Sequence, residues 1–242
     1  MNQQEAPAQR DASSARAYGG LSSQERRNQR RERLIQAGLE VFGRRGLRQS
    51  TMRDICTQAR LSDRYFYESF ASVQDVFEAV YVDLRAQLLS RLHAAMRDKR
   101  ARTQVAVAEA GLRAFFAFVR EDRRRARIML IDVLGLRFSH LGEGESDGHG
   151  QDAYRVDPYV SLFGELFQVW YPGVDDLGID VALVLQTMIG MTVQSAAAWA
   201  DKGFDKSVED IVRHNLFAWA GLDQWIKSLT AQRAERRRVS HS

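Results

Sequence analysis

Thr51-Met52-Arg53-Asp54-Ile55-Cys56-Thr57-Gln58-Ala59-Arg60-Leu61-Ser62-Asp63-Arg64-Tyr65-Phe66-Tyr67-Glu68-Ser69-Phe70 is the stretch on which the reading of this chain turns. Thr51 is a helix N-cap by residue type, and Met52, Ile55 and Ala59 follow at spacings that share one helical face. Ser62 is a second N-cap. The helix it opens places Tyr65, Phe66 and Phe70 where they can face inward. Two helices joined by three or four residues form a helix-turn-helix unit. Its second helix can enter a DNA major groove while the first crosses the phosphate backbone.

Working outward, the rest of the chain is expected to be all-α. Its 242 residues hold only three prolines, and Ala, Leu, Arg and Gln are plentiful. The single cysteine, Cys56, rules out an intramolecular disulfide framework and suits a reducing, cytoplasmic setting. It reads as a small buried residue and not as a reactive thiol. Charge is uneven. Ser22 to Phe70 carries eleven arginines against six acids, a net +5, whereas the whole chain is +4 and the remainder therefore −1. A basic excess located on a helix-turn-helix fits neutralisation of DNA phosphates.

Residues 1–21 are polar, lack an apolar periodic face and resemble no secretory signal, so they read as a disordered tail. Ser22 or Ser23 caps a first helix whose apolar side is Leu34, Ile35, Leu39, Val41 and Phe42, and Gly46 should end it in a left-handed C-cap. Ser72 caps a long helix to about Met96, with Val76, Phe77, Val80, Leu84, Leu88 and Leu92 as its stripe.

Gly46, Ser50-Thr51-Met52-Arg53-Asp54-Ile55, Ala59, Ser62, Tyr67, Phe70, Ser72 and Asp75 fall at the spacing of the TetR family of transcriptional regulators, which the segment Arg33 to Phe77 resembles. The resemblance implies a three-helix DNA-binding domain over residues 22–71, a ligand-binding and dimerisation domain over 72–228, and a basic C-terminal tail over 229–242. It implies that Tyr67 touches a phosphate and that Asp63, Arg64 and Tyr65 lie towards the bases. Arg48, Ser50, Thr51, Arg53 and Ser62 complete the expected DNA-binding set. Two positions depart from the family: Arg60 stands where glycine is usual, and Val73 where lysine often contacts phosphate. The first implies strain or remodelling of the turn, and the second passes phosphate contact to Arg48, Arg53 or Arg64.

Further along, a helix is expected from Thr103 to Arg120, then the break Asp122-Arg123-Arg124-Arg125, then an apolar helix from Arg127 to Leu134. Residues 139–153 read as a Gly-rich acidic loop. His140, Asp147, His149 and Asp152 match no metal-ligand spacing, so neither a metal nor a cofactor is expected. A helix over residues 155–171 carries an aromatic cluster. Phe115, Phe116, Met129, Tyr159, Phe163, Phe167, Trp170 and Met188 are the candidate lining of an effector pocket. Between Asp180 and Asp201 the chain is free of charge. Its Gln and Thr residues make it a poor lipid helix, so a buried bundle helix is expected and no membrane partner.

In the resembled family the last two helices pair with those of a second subunit. Ile189, Val193, Ala197, Ile211, Val212, Leu216 and Trp219 are the expected dimer interface, with a frayed basic tail from Arg233. No nucleophile elbow, zinc-protease, P-loop or dinucleotide motif is present, so no enzyme is expected. The expected function is a homodimeric, ligand-responsive transcriptional repressor. It would bind a near-palindromic double-stranded DNA operator and be released by a small apolar or aromatic effector. Alternatives are a constitutive DNA-binding regulator without effector, and an enzyme or carrier using the aromatic cavity.

Overall fold

The computed structural model describes residues 22–97, 103–133 and 157–239, and within them the chain is helical throughout. Helix α1 (Ser23–Arg45) begins at Ser22, whose hydroxyl accepts from the Glu25 N–H while the Glu25 carboxylate accepts from the Ser22 N–H. The same reciprocal cap recurs at Thr51 and Asp54 for α2 (Met52–Ala59), and at Ser72 and Asp75 for α4 (Val73–Met96). Each satisfies two otherwise orphaned donors, so three of the four N-terminal helices start at fixed residues. The exception is α3 (Asp63–Tyr67), whose Ser62 makes no side-chain cap bond.

Gly46 ends α1 with φ 77° and ψ 165°. The positive φ matches the expectation, but ψ is extended and not left-handed. That region is open essentially to glycine alone, and it sends the chain straight on into a 3-10 turn (Leu47–Gln49). Arg60, by contrast, is left-handed, with φ 53° and ψ 48°, and the Leu61 N–H reaches back to the Cys56 carbonyl at 3.0 Å. The turn between α2 and α3 is therefore kept, not remodelled, and an arginine bears the strain. An L-residue in this conformation costs roughly 1–2 kcal/mol. Arg60→Gly is expected to stabilise the protein by about 1 kcal/mol after the glycine's larger unfolded-state entropy is counted, read as a raised melting temperature.

Leu34, Phe42, Ile55, Phe66, Phe77 and Val80 close the core of the N-terminal domain, and α4 carries that core onwards through Leu84, Leu88 and Leu92. Helix α5 (Gln104–Glu121) packs beside α4, and α6 (Arg123–Ala126) runs directly into a π-helical turn (Arg127–Asp132). The expected Arg127–Leu134 helix is thus wider than an α-helix over six residues, and the arginine run is itself helical. Its members act as cross-links. Arg124 pairs with Asp122 and with Glu40 of α1, Arg125 bonds the Phe118 carbonyl at 3.0 Å, and Arg123 bonds the Gly203 carbonyl at 3.2 Å.

Helices α7 (Asp157–Trp170), α8 (Val181–Asp201) and α9 (Val208–Val239) complete the bundle. The last runs 32 residues, so the frayed tail expected from 229 or 233 is helix as far as Val239. Ala, Gln, Glu and Arg without a breaker sustain it. Arg233 pairs with Asp176 at 3.3 Å, and arginines suit the negative end of a helix. Residues 1–21 and 139–153, and with them His140, Asp147, His149 and Asp152, lie outside the described residues. Elsewhere, among the described residues, no three His, Cys, Asp or Glu side chains group as metal ligands.

Candidate DNA-reading surface and effector cavity

The reading surface is organised from behind. Phe66 is 1% exposed and fixes the roll of α3, so its neighbours in sequence must point outward. Tyr65 and Tyr67 are 37% and 63% exposed, and Ser62, Asp63 and Arg64 are exposed with them. Arg48, Thr51 and Arg53 are exposed on the approach to α2, whereas Ser50 is half-buried and donates its hydroxyl to the Gly46 carbonyl at 2.7 Å. Thr51 and Asp54 occupy one another, with Arg45 on the Asp54 carboxylate at 2.8 Å. Val73 packs half-buried against the core. Eight of the nine expected DNA-binding residues are thus exposed, and Ser50 is half-buried. Sequence reading missed the support for that face. The Arg30 guanidinium lies 4.4 Å from the centre of the Tyr65 ring, and Glu68 takes Arg64 at 3.1 Å and Arg30 at 3.4 Å. Spacing announces only the Arg64–Glu68 pair, four residues apart on one helix.

The body holds an apolar, partly open cavity of about 100 Å³ between α4, α5, the π-turn, α7, α8 and α9. Of the expected lining, Phe115, Met129, Tyr159 and Phe163 face it. Phe116, Phe167, Trp170 and Met188 do not. Phe116 is fully buried between Phe115 and Trp199, at ring-centre distances of 5.2 and 5.8 Å, and Phe167 stacks on Tyr171 at 4.8 Å. Met188 is buried elsewhere in the core, and Trp170 is half-buried beside it. An aromatic at i and another at i+1 cannot share a face of a helix, so only one member of the Phe115–Phe116 pair reaches the cavity.

Ile189, Val193 and Trp219, expected at the dimer interface, line the cavity within the protomer. Ile211 and Val212 are 9% and 2% exposed within the protomer, while Ala197 and Leu216 are half-buried against its core. These placements have one cause. Helices α8 and α9 are apolar on two sides, and sequence alone does not say which side meets its own bundle. The sides left uncovered carry Leu183 (60% exposed), Phe217 (70%) and Trp225 (46%), with Gly190 and Gly221 open beside them. α8 is the one helix among the described residues long and apolar enough to cross a membrane by length and composition, and its inner side is packed into the bundle.

Few polar atoms enter the cavity. Burial, with Tyr81 beside it, pushes the Tyr159 phenol well above its ordinary pKa, so it is neutral. The Thr192 hydroxyl donates to the Met188 carbonyl at 2.9 Å. The Trp219 indole N–H is buried without a partner, a state that costs about 1–3 kcal/mol until an acceptor arrives.

One segment joins cavity to reader. Met129, Leu130 and Val133 line the cavity, while Arg127 of the same turn donates to the Arg45 carbonyl at 3.1 Å, and Asp132 accepts from the Leu47 N–H at 3.3 Å. Just before it, Arg124 lies so close under α1 that a Cβ on Gly43 would overlap its side chain. The end of α1 and the start of the strand of chain leading to α2 are therefore gripped by the cavity's own wall. Burial holds the Asp132 carboxyl above the usual carboxylate range, and the Leu47 N–H, Arg127 and Arg48 offset only part of this. A raised folded-state pKa means stability that is present in acid and lost as pH rises through that value. Asp132→Asn keeps an acceptor for Leu47 and removes the titration. Its melting temperature is expected to gain on the parent's progressively as pH rises above the ordinary carboxylate range.

A three-helix reader with an exposed second helix, joined to an enclosed helical bundle, defines a helix-turn-helix regulator of transcription. The chain matches, over residues 34–80, the model of the tetR family of bacterial regulatory proteins. It is 27% identical over 206 residues to the HTH-type transcriptional activator FasR of Mycolicibacterium smegmatis, covering 81% of this chain and 84% of that one. In structure it resembles FadR of Bacillus subtilis, solved in complex with stearoyl-CoA, with a TM-score of 0.63 at 16% identity over 78% of this chain and 96% of that one. The fatty acid degradation regulator FadR of Bacillus halodurans gives the same TM-score at 15% identity, over 78% of this chain and 94% of that one. Its relatives are regulators and not enzymes.

Proposed function

We propose that the protein is a homodimeric, effector-responsive regulator that binds a near-palindromic double-stranded DNA operator in the cytoplasm. It acts as a repressor released by an apolar effector. The observation that carries this reading is the shared wall: Met129 and Leu130 face the cavity from the same turn whose Arg127 and Asp132 hold the DNA-binding domain. An effector acts only through a difference in affinity between two arrangements. The cavity supplies one. At about 100 Å³ it is smaller than the ~150 Å³ hole that admits benzene, so a guest as long as an acyl chain extends through its open side or parts its walls.

The guest that fits best is a fatty acyl thioester. The walls are apolar, the Trp219 N–H lacks an acceptor such as a thioester carbonyl, and the Bacillus subtilis FadR structure holds stearoyl-CoA. The test is fluorescence anisotropy of the protein on DNA selected from a random duplex library, titrated with stearoyl-CoA and separately with free coenzyme A. Release by the first alone supports the reading. If stearoyl-CoA neither binds the protein nor alters its grip on DNA, the acyl effector is wrong. A second reading, activation of transcription, is favoured by the M. smegmatis relative, which is an activator. Transcription in vitro from the selected site, with and without protein, separates the two.

A further inference from the structure

We propose that Glu68 is the positioning residue for Arg64 and that Arg30 makes this possible, the three forming a relay that sets a guanine preference in the operator. The inference rests on the DNA-binding reading above and goes beyond it, because it assigns specificity to two residues outside the expected DNA-contacting set.

The Glu68 carboxylate is divided: Oε1 accepts from the Arg64 Nε at 3.1 Å, and Oε2 accepts from an Arg30 Nη at 3.4 Å. Arg30 is 21% exposed and Glu68 28%, whereas Arg64 is 84% exposed. Arg30 and Glu68 are therefore a sheltered base from which Arg64 projects. With its Nε held, Arg64 has given up the freedom to rotate about its last bonds. Its two Nη groups have no partner among the described residues, and they form the edge that can donate two parallel hydrogen bonds to guanine O6 and N7. A flexible arginine would have to lose rotamer entropy on binding, and preorganisation removes that cost.

Arg30 answers the obvious objection to this arrangement. A bare carboxylate beside DNA phosphates is repelled, and Glu68 alone would weaken every complex. Arg30 reaches across from α1, neutralises Glu68, and is itself pinned by the Tyr65 ring beneath it at 4.4 Å. Arg30 and Glu68 are 38 residues apart in sequence, so the relay also fixes α3 against α1, which compensates for the missing side-chain cap at Ser62.

The test uses the full-length protein and a duplex selected by it from a random library, with each base pair of the half-site then varied singly. The parent is expected to prefer guanine at one position by roughly 10- to 100-fold, and Arg64→Ala to abolish that preference. Glu68→Ala should reduce the preference at the same position about 10-fold, and Glu68→Gln, which keeps an acceptor for the Arg64 Nε, should restore part of it. Arg30→Leu should lower affinity for all sequences together with the preference. Thermal melts and affinity for random duplex are followed alongside. A preference untouched by Glu68→Ala but erased by Arg64→Ala would overturn the relay and leave base reading intact. Uniform loss of affinity in Glu68→Ala, with the preference unchanged or the fold melted, would show a structural residue only and overturn it equally. A parent that selects no sequence from the library would overturn both the relay and the DNA-binding reading beneath it.

Discussion

Phe217→Arg is expected to leave a folded monomer that no longer holds its operator. Phe217 is 70% exposed in the protomer, one turn from Gly221 and two from Trp225 on the outer side of α9, and Leu183 stands on the outer side of α8. In a two-fold dimer built on these helices the same patch meets itself, so one substitution places two arginines in an apolar contact. An unpaired buried charge costs about 3–5 kcal/mol, which weakens the dimer by about 100-fold or more. Sedimentation or light scattering over a concentration series reads the mass directly. The helical circular dichroism should be unaltered, because Phe217 contributes little to its own core. Loss of one half-site reader removes most operator affinity with it. If the variant remains dimeric at micromolar concentration, the interface lies elsewhere on the bundle.

Phe116→Ala is the largest stability loss expected, about 3–5 kcal/mol. The ring is fully buried and meets Phe115 and Trp199 edge-on. Truncation leaves a hole that helices α5 and α8 cannot close without breaking their other contacts. Its neighbour gives the contrast. Phe115 lines the cavity, and Phe115→Ala should change affinity for an apolar ligand more than it changes the melting temperature. Denaturant unfolding of both variants, paired with ligand titration, separates a core ring from a lining ring. Equal behaviour of the two would mean that the cavity boundary has been drawn in the wrong place.

Where the chain is locally determined, the sequence was sufficient. Caps at Thr51 and Ser72 mark helix starts that the structure reproduces to the residue, and of the two candidates Ser22 and Ser23 it uses Ser22. The stripe from Val76 to Leu92 describes one buried face, because α4 has only one apolar side. Legibility failed where a helix has two. Ile211 and Trp219 have the same character as Phe217, and only the packing of α9 against α5 and α8 tells inner from outer. The π-turn was equally hidden, since Arg127-Ile128-Met129-Leu130-Ile131-Asp132 reads as ordinary amphipathic helix. Arg30 and Glu68 had no local signal, being distant in sequence. The exposure of Tyr65 and Tyr67 was legible because α3 is so short that burying Phe66 leaves its neighbours no other direction.

The wide turn at Arg127–Asp132 carries one residue more than an α-helix needs over the same rise. That surplus lets Met129 look into the bundle while Asp132 looks back to Leu47. Delete any single residue between them and the segment can tighten to 3.6 residues per turn, which leaves the helices on either side in place but takes away the opposed directions of Met129 and Asp132. The shortened protein would keep its helices, its cavity and its reader, and lose the correspondence between them. Insertions and deletions are usually tolerated in loops and fatal in cores; here a chain shorter by one residue would be a sound DNA-binding protein gone deaf.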